Sequence, residues 1–398
     1  MSYFRLAFLI PIFLFTGCAS QNKSGTKWYK GNLHTHSYWS DGDEFPEVVM
    51  DWYKSKGYDF VALSEHNILA EGDKWITIKA DSIYQNAFNN YLNRYGRKWV
   101  NYKKDSGQIS VKLKTLDEYR GRFEQPGKFL IIKSEEISDR YGNVPIHLNA
   151  TNIQHLVTPQ RGNSVVEVLQ NNIDAVLNQR EATGVPMFPH VNHPNFFYAI
   201  TVADMIALRG ERFFEVFNGH PTVHIMGDGD HMSTEKMWDL INIAYITDHK
   251  PIMYGLATDD AHHYHIQGRT WSNAGRGWIV VRTNTLTPES IIAAMEAGAF
   301  YASTGVELKD FSFINNELYV DVKKKAGVSY TISFIGCRRG AIEPEELIVV
   351  EGSKGSFKIT EDMLFVRAKV TSNKWPENPS EYELYESAWT QPVMPVNE

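Results

Sequence analysis

The chain has 398 residues, of which 43% are hydrophobic and 22% charged, and its formal net charge is −7 at pH 7. This length allows two or three domains, and the composition is that of a globular protein rather than a disordered or fibrous one. The negative balance, with both signs of charge well mixed, excludes a general nucleic-acid binder, which needs a basic face.

The first 18 residues are predicted to be a signal peptide rather than part of the fold. Arg5 precedes an apolar run over residues 6–15, which is too short to span a bilayer as a mature helix. The run ends in Leu14-Phe15-Thr16-Gly17-Cys18, which resembles a bacterial lipoprotein signal with Cys18 as the lipidated first residue. An ordinary secretory signal is the alternative. Residues 19–27 are expected to be a polar linker, and the expected location is the bacterial envelope, lipid-anchored to the outer membrane on its periplasmic or surface face.

Cysteine is otherwise scarce, because Cys337 is the only one after Cys18. An intramolecular disulfide is therefore not expected, and a cysteine-based zinc site is excluded. An exported domain without disulfides has to be large enough for its hydrophobic core to hold it together.

Residues 28–304 are predicted to form one α/β unit, because strand-like runs alternate with amphipathic helical stretches. Strands are expected over residues 31–36, 58–64, 129–132, 145–150, 213–218, 252–257 and 277–282. Helices are expected over residues 44–57, 165–183, 234–247 and 288–297. Several strands end in potential ligands, as a β/α barrel with its site at the carboxyl rim requires.

Two stretches depart from this alternation. Residues 70–128 are rich in Tyr, Trp, Asn and Lys, and they are predicted to be a largely helical insertion without a clear strand. This insertion either walls the cleft or is a surface excursion without function.

Residues 305–398 carry alternating β-type runs and are predicted to form a small β-sandwich packed on the barrel. The chain has 14 histidines but none after His265, so metal chemistry is expected in the first domain.

The strongest local signal is a pair of histidines at the end of the first strand. His34 and His36 are two positions apart, and side chains with this spacing point to the same side of a strand. Asp41 follows in a Ser-Asp-Gly turn, which can bring its carboxylate back over the pair. A His-x-His pair alone is weak support for a metal site, so partners further along the chain decide.

Nine potential ligands lie at or just after predicted strands, and all of them offer nitrogen or oxygen. Each has an ordinary structural explanation, such as a core histidine or a turn cap, but together they exceed the three or four protein ligands of one zinc ion. Two or three ions that share a bridging carboxylate are therefore expected, and the donor set favours Zn, Mn or Fe over Mg or Ca. The nine residues are His34, His36, Asp41, His66, Glu136, His147, His193, Asp260 and His262.

These motifs resemble the PHP (polymerase and histidinol phosphatase) family of metal-dependent phosphoesterases, in a lipoprotein form with a C-terminal β domain. The resemblance covers roughly residues 28–305 and implies an α/β fold with a distorted seven-stranded, TIM-like β/α barrel and a metal centre at its rim. The motifs that carry it are His-x-His, Ser-Asp-Gly, Leu63-Ser64-Glu65-His66-Asn67, Glu136, His147, His193-Pro194, Asp260-Ala261-His262 and the segment 298–305.

The resemblance also implies how the ligands are shared among the ions. One ion would be held by His34, His36, Glu136 and Asp260. Glu136 would bridge to a second ion, held with His147 and His193, and a third would be held by Asp41, His66 and His262. Glu135 competes with Glu136, and Asp259 competes with Asp260. Glu136 is preferred because the family's ligand precedes an apolar residue, and Asp260 because Asp-x-His keeps both ligands on one side.

The expected activity is hydrolysis of a small-molecule phosphate ester by a hydroxide that bridges the ions. Asp260 or a nearby histidine is expected to handle the proton, and Arg269 and His220 are candidate substrate contacts. Two alternatives remain open. One is hydrolysis of a carboxylic ester or carbamate at the same centre, and the other is a non-catalytic envelope lipoprotein that binds through its aromatic residues.

Overall fold

The structure is a computed structural model that describes residues 25–380, 382 and 384–396. The predicted signal peptide, Cys18 and most of the linker lie outside these described residues. No helix in the described part is long and apolar enough to cross a membrane. The helices are α1 (Pro46–Ser55), α2 (Ser82–Tyr95), α3 (Leu116–Phe123), α4 (Val165–Thr183), α5 (Val202–Ala207), α6 (Thr234–Thr247) and α7 (Pro288–Glu296).

In the described part of the chain the strands outnumber the helices. The first ten are β1 (Lys27–Asn32), β2 (Phe60–His66), β3 (Trp75–Thr77), β4 (Tyr102–Asp105), β5 (Gln108–Lys112), β6 (Leu130–Tyr141), β7 (Val144–Thr151), β8 (Phe188–Val191), β9 (Phe213–Asn218) and β10 (Tyr254–Thr258). The others are β11 (Trp278–Thr283), β12 (Phe300–Ser303), β13 (Leu308–Ile314), β14 (Glu317–Val322), β15 (Tyr330–Arg338), β16 (Glu345–Glu351), β17 (Lys354–Lys358), β18 (Met363–Ser372) and β19 (Ser387–Thr390).

One mixed sheet of thirteen strands runs through the molecule, in the order β10-β9-β8-β7-β6-β2-β1-β11-β12-β19-β18-β15-β16. The neighbours β1/β2, β2/β6, β8/β9 and β9/β10 are parallel, whereas β7 is antiparallel to both β6 and β8. From β11 onward every neighbouring pair is antiparallel. The chain is therefore an α/β protein with a large mixed sheet.

The first seven strands of this order curl, but hydrogen-bonded ladders do not close them into the predicted barrel. No ladder joins β10 to β1 within the described residues. Just past the carboxyl ends of these two strands, an isolated parallel bridge pairs Thr35 with Ala261. Two backbone bonds of 2.9 Å flank it, from Asp260 N to His34 O and from His36 N to Ala261 O. The two ends of the curl thus meet at one point, which is where the predicted ligands lie.

Helix α4 shows how the sequence specifies the outer layer. Ser164 caps its first turn by accepting a hydrogen bond from Glu167 N, and Gly184 ends it in the left-handed conformation with φ of 69°. Its buried residues recur at helical spacing and face the sheet. The boundaries predicted from the periodicity, residues 165–183, are those observed.

The insertion over residues 70–128 contains strands that the sequence did not predict. Besides α2 and α3 it holds a three-stranded antiparallel sheet in the order β3-β5-β4. Ser106 and Gly107 connect β4 to β5 with φ of 48° and 88°, as a tight two-residue hairpin requires. Glu47 of α1 anchors the insertion, because Tyr91 and Trp99 both donate to its Oε1, at 2.7 and 2.6 Å.

The C-terminal strands enclose an apolar core of their own. Strands β13, β14 and β17 form a second antiparallel sheet, which packs over β15 and β18 through residues such as Leu318, Phe334 and Val366. The runs predicted over residues 318–322, 330–335, 347–350 and 363–370 correspond to β14, β15, β16 and β18. β12 pairs with β19, so the main sheet continues without a break into this region.

Candidate metal centre

The nine predicted ligands lie in one pocket, which we call the histidine pocket. It forms where the carboxyl ends of β1, β2, β8 and β10 meet the β6–β7 hairpin. Within it the structure contains several groups of side chains whose donor atoms are close enough to hold a metal ion. They are His36–Asp41–His66–His262, His34–His193–Asp260, His34–His36–Glu136, His34–His190–Glu215 and His66–Glu136–His147.

Glu136 lies at the middle of the pocket. Its side chain is buried, and Asn192 Nδ2 donates to its Oε1 at 2.8 Å and so fixes the carboxylate plane. Both oxygens face imidazole nitrogens. Oε2 lies 3.4 Å from His34 Nε2, 3.4 Å from His36 Nε2 and 2.9 Å from His66 Nδ1, and Oε1 lies 3.0 Å from His147 Nδ1 and 3.4 Å from His193 Nε2.

Four distances between donor atoms of the pocket match those between the ligands of one metal ion. Asp260 Oδ1 lies 3.3 Å from His34 Nε2 and 3.4 Å from His36 Nε2, and both nitrogens are 3.4 Å from Glu136 Oε2. Ligands about 2.0–2.1 Å from a tetrahedral ion are separated by about 3.3–3.4 Å.

Three of those four atoms also lack the hydrogen bonds that buried polar atoms normally make. His34 Nε2, His36 Nε2 and Glu136 Oε2 are buried without a hydrogen-bond partner. Leaving a buried polar atom unpaired is costly, so such atoms call for a ligand. The residues present therefore fit a metal ion.

Asp41 completes a more open group at the edge of the pocket. Its oxygens lie 3.3 Å from His262 Nε2 and 3.5 Å from His66 Nε2, and its side chain is 58% exposed. The turn needs Gly42, because a Cβ there would come within 2.7 Å of the His36 carbonyl carbon. Glu65 supports the same turn from below by accepting hydrogen bonds from Ser37 N and from Ser40.

In each pair of adjacent carboxylates, one member faces the pocket and the other makes structural bonds. Glu136 and Asp260 point inward, as described above. Glu135 instead accepts a hydrogen bond from Val157 N at 2.6 Å. Asp259 accepts from Tyr53 Oη at 2.8 Å and from the backbone N of Arg276 at 2.6 Å. Asp260 adopts the left-handed backbone with φ of 49°, a conformation that Asp tolerates better than most residues.

Burial and neighbouring charges shift the pKa values of residues in the pocket. Burial, followed by His262 and His66, lowers the pKa of His36 to about 3, so this imidazole is neutral. Burial also opposes the ionisation of Glu136, but the neighbouring histidines outweigh it and hold its pKa well below the usual range. Burial likewise opposes protonation of His66, yet Glu136 and Asp41 raise its pKa to about 11. The carboxylates thus attract positive charge, and metal ions would compete with protons for these nitrogens.

Glu215 is a contact that sequence reasoning missed. Its Oε1 accepts from His34 Nδ1 at 2.7 Å and from Thr258 Oγ1 at 2.8 Å, and its Oε2 accepts from His193 N at 2.9 Å and Asn218 Nδ2 at 2.8 Å. A carboxylate behind an imidazole fixes its tautomer and orientation, which here leaves His34 Nε2 free to face the pocket. The available signal was a charged residue inside the otherwise apolar, fully buried strand β9.

His190 was also missed, and it lies beneath the pocket behind His34. Its side chain is buried, its Nε2 lies 3.5 Å from Glu215 Oε1, and neither ring nitrogen has a hydrogen-bond partner. Burial lowers its pKa, so the ring is neutral. Its position at the end of β8 is the only feature of the sequence that pointed toward it.

Of the two predicted substrate contacts, His220 lies beside the pocket. Its ring centroid is 5.5 Å from that of His262. Thr222 N donates to its Nδ1 at 3.3 Å, so the proton of the neutral ring is on Nε2. Burial lowers the pKa of His220 to about 4, which keeps this ring neutral at pH 7. Arg269 is exposed, and its role as a substrate contact remains a prediction.

Comparisons with known proteins found likeness among solved structures alone. No protein-family model matches the chain, and no curated protein matches it. A two-domain protein from Bacteroides vulgatus, described as containing a predicted PHP-like metal-dependent phosphoesterase, is 12% identical with a TM-score of 0.39, over 93% of this chain and 96% of that one.

Two further solved structures are similar to parts of the chain. An amidohydrolase from Chromobacterium violaceum, with bound sulfate and no metal, is 10% identical with a TM-score of 0.30, over 68% of this chain and 96% of that one. A protein from Bifidobacterium adolescentis with the provisional name of metal-dependent phosphoesterase is 10% identical with a TM-score of 0.28, over 61% and 90%. Identities and scores are low, so function is argued from the site itself.

Proposed function

We propose that the chain is a metal-dependent hydrolase that cleaves phosphate esters of small molecules, with two or three divalent ions (Zn, Mn or Fe) in the histidine pocket. The observation that carries the proposal is the buried set of donors described above: four of their separations match those between the ligands of one metal ion, and three of the four atoms have no hydrogen-bond partner. The contact of Glu136 Oε1 with His147 and His193 supports a second ion that shares this carboxylate with the first.

Ions bound at these atoms would lower the pKa of a water molecule and offset negative charge on the reacting phosphate. The chain's own residues would do the rest. The Nε2–H of His220 is placed to donate to an ester oxygen. Asp260 is ionised, because the neighbouring histidines outweigh the effect of burial and hold its pKa well below the usual range. We assign it the proton of the attacking water.

The bond changes of this reaction balance without a further reactant. The oxygen of water forms a bond to phosphorus while the phosphorus–oxygen bond to the alcohol breaks. The alcohol oxygen leaves with the electron pair and takes up a proton, and the products are the alcohol and phosphate.

The test combines metal analysis with a substrate panel. Purified protein should contain at least two equivalents of transition metal, and with Mn or Zn it should hydrolyse an aryl phosphate monoester or diester. The double variant His34→Ala, His36→Ala should lose both the metal and the turnover. His155→Ala is a matched control, because His155 is an exposed histidine that belongs to none of the metal-binding groups.

Two outcomes of the same panel would contradict the proposal. Turnover of a carboxylic ester or carbamate alone would keep the metal centre and change the bond that it cleaves. Protein without stoichiometric metal and without turnover would instead point to a binding module.

We further propose that the mature chain is tethered to the envelope by lipid on Cys18. The support is the sequence pattern of residues 5–18, which lies outside the described residues. Cell fractionation tests it. The wild type should sediment with membranes, and Cys18→Ala should not be lipidated. A soluble, unlipidated wild-type protein would contradict it.

A further inference from the structure

An aromatic segment, Phe196-Phe197-Tyr198, borders the histidine pocket and has no role in holding metal. Phe197 is 73% exposed, which is the largest exposed fraction of any aromatic side chain among the described residues. A large apolar side chain held in water beside a candidate active site calls for a ligand. An exposed Phe elsewhere on a protein surface would need no explanation. This ring is different because it is anchored beside the histidine pocket.

The rings connect the pocket to solvent. The Phe196 ring centroid lies 5.1 Å from that of His193, 6.2 Å from that of His147 and 6.4 Å from that of His220. The Phe197 ring in turn packs on Phe196, with centroids 4.7 Å apart and planes at 67°. A continuous aromatic surface therefore leads outward from two candidate ligands and the candidate substrate contact.

The backbone that presents these rings is strained and braced. Phe197 and Tyr198 adopt φ of 54° and 51°, the left-handed region that bulky residues rarely occupy. The side-chain amide of Asn195 holds the loop by donating to His224 O at 2.8 Å and Met232 O at 3.0 Å. Tyr198 stacks on His231, with centroids 3.7 Å apart. The chain on both sides of the exposed ring is thus held, so little backbone entropy is lost when a ligand packs on the ring.

We propose that Phe196 and Phe197 form a subsite for a flat apolar group of the substrate, next to the phosphate-binding metal centre. The substrate class is then an ester whose anionic phosphate carries an aromatic or similarly flat apolar substituent. This inference rests on the proposed function for the position of the anion. Both side chains are uncharged rings, so they discriminate between substituents by packing.

The closing experiment measures binding separately from turnover. Calorimetry compares the binding of phenylphosphonate and methylphosphonate to the metal-loaded protein. Both compounds present a phosphonate group, and neither contains an ester bond that the protein could hydrolyse. The wild type should bind the phenyl compound about three- to tenfold more tightly, as expected for one added aromatic contact. Phe197→Ala should bring this ratio to about one, and Phe197→Tyr should retain it.

The control is Tyr319→Ala, because Tyr319 is an exposed aromatic residue on β14 in the C-terminal region. This variant should keep the wild-type ratio. A ratio that survives in Phe197→Ala would overturn the subsite, and so would an equal loss of affinity for both phosphonates. If the phenyl preference depends on Phe197 but no phosphate ester is hydrolysed, the subsite stands and the proposed function fails. If esters are hydrolysed while Phe197→Ala leaves the ratio unchanged, the proposed function stands and the subsite fails.

Discussion

Two buried polar clusters of this protein differ in how their charges are balanced. In the cluster around Arg367, the guanidinium is 1% exposed and binds Asp239 of α6 through two hydrogen bonds, Nε to Oδ1 at 2.6 Å and Nη2 to Oδ2 at 2.7 Å. Glu235 accepts from the same group at 3.1 Å and from Lys369 at 2.7 Å. Cations and carboxylates alternate, so this cluster supplies most of its own partners.

In the histidine pocket the carboxylates face imidazole nitrogens rather than Lys or Arg. His34 Nε2 and His36 Nε2 each lie 3.4 Å from Glu136 Oε2 without a hydrogen bond, and no Lys or Arg side chain forms an ion pair with that carboxylate among the described residues. The contrast between the two clusters shows that burial of charge alone does not identify a functional site. A cluster whose charges balance internally can be structural, whereas one whose donor atoms converge without hydrogen bonds between them calls for an ion from outside.

The largest expected effect comes from Glu136→Gln, which breaks the pocket. The amide keeps the shape but removes the charge that faces the imidazoles of two adjoining groups. The protein should lose stoichiometric metal, and kcat/KM for an aryl phosphate should fall about ten-thousandfold, or about 5 kcal/mol of transition-state stabilisation. Metal analysis and steady-state kinetics measure the two effects.

Glu135→Gln is the matched control for that variant, because it makes the same chemical change one residue away. Its carboxylate faces Val157 N rather than the pocket, so metal content and kcat/KM should stay near wild type. Full metal occupancy in Glu136→Gln would contradict the central role of this carboxylate.

The second prediction breaks the other cluster. Arg367→Met leaves Asp239 buried without its cation, so the free energy of unfolding in urea should fall by about 3–5 kcal/mol. The metal content of the folded protein should not change, because Arg367 contacts α6 and not the pocket. Loss of metal from the folded variant would show that the two clusters are coupled rather than independent.

The sequence predicted the pocket better than it predicted the ion-pair cluster. Candidate ligands recur at strand ends, a position that local pattern reveals, and the parallel strands bring such ends to one edge. Glu215 and His190 escaped because their role depends on what lies behind His34, which only the packed sheet determines. The pairing of Asp239 with Arg367 joins residues 128 positions apart and has no local signal.

Strand pairing was the part of the fold that could not be read locally. Four of the helices and most strands of the first region follow from their apolar periodicity, and α4 and α6 were predicted with their observed bounds. Strand β4 is short and polar, and β5 alternates over only five residues, so their Ser106-Gly107 turn was the other available signal. The two ends of the curled sheet meet through the segments that follow β1 and β10, and these segments are far apart in sequence.

The third prediction uses pH to separate the two adjacent glutamates. Burial raises the pKa of Glu135 to about 8, above its unfolded value of about 4.5. The folded state therefore holds this proton more tightly, and the free energy of unfolding should fall as pH rises from about 4.5 to about 8. Between pH 5 and pH 7 the loss from this group should be about 2–3 kcal/mol.

Urea unfolding of the wild type and Glu135→Gln across this range checks the sign. The variant lacks the ionisable group, so its stability should fall less steeply with pH. Parallel stability profiles of the two proteins would show that Glu135 titrates normally in the folded state.

The smallest effect sharpens the comparison, because Glu215 combines features of both clusters. It is a buried carboxylate with all its partners present, yet one of them is His34, whose other nitrogen faces the pocket. Glu215→Gln can still accept from His34 Nδ1 but lacks the charge that strengthens the imidazole as a ligand, so metal affinity should fall about tenfold. Glu215→Ala also removes the orienting bond and should lower it about a hundredfold. Competition with a chelator measures both affinities. Equal losses in the two variants would mean that charge, rather than orientation of the ring, is what Glu215 contributes to the centre.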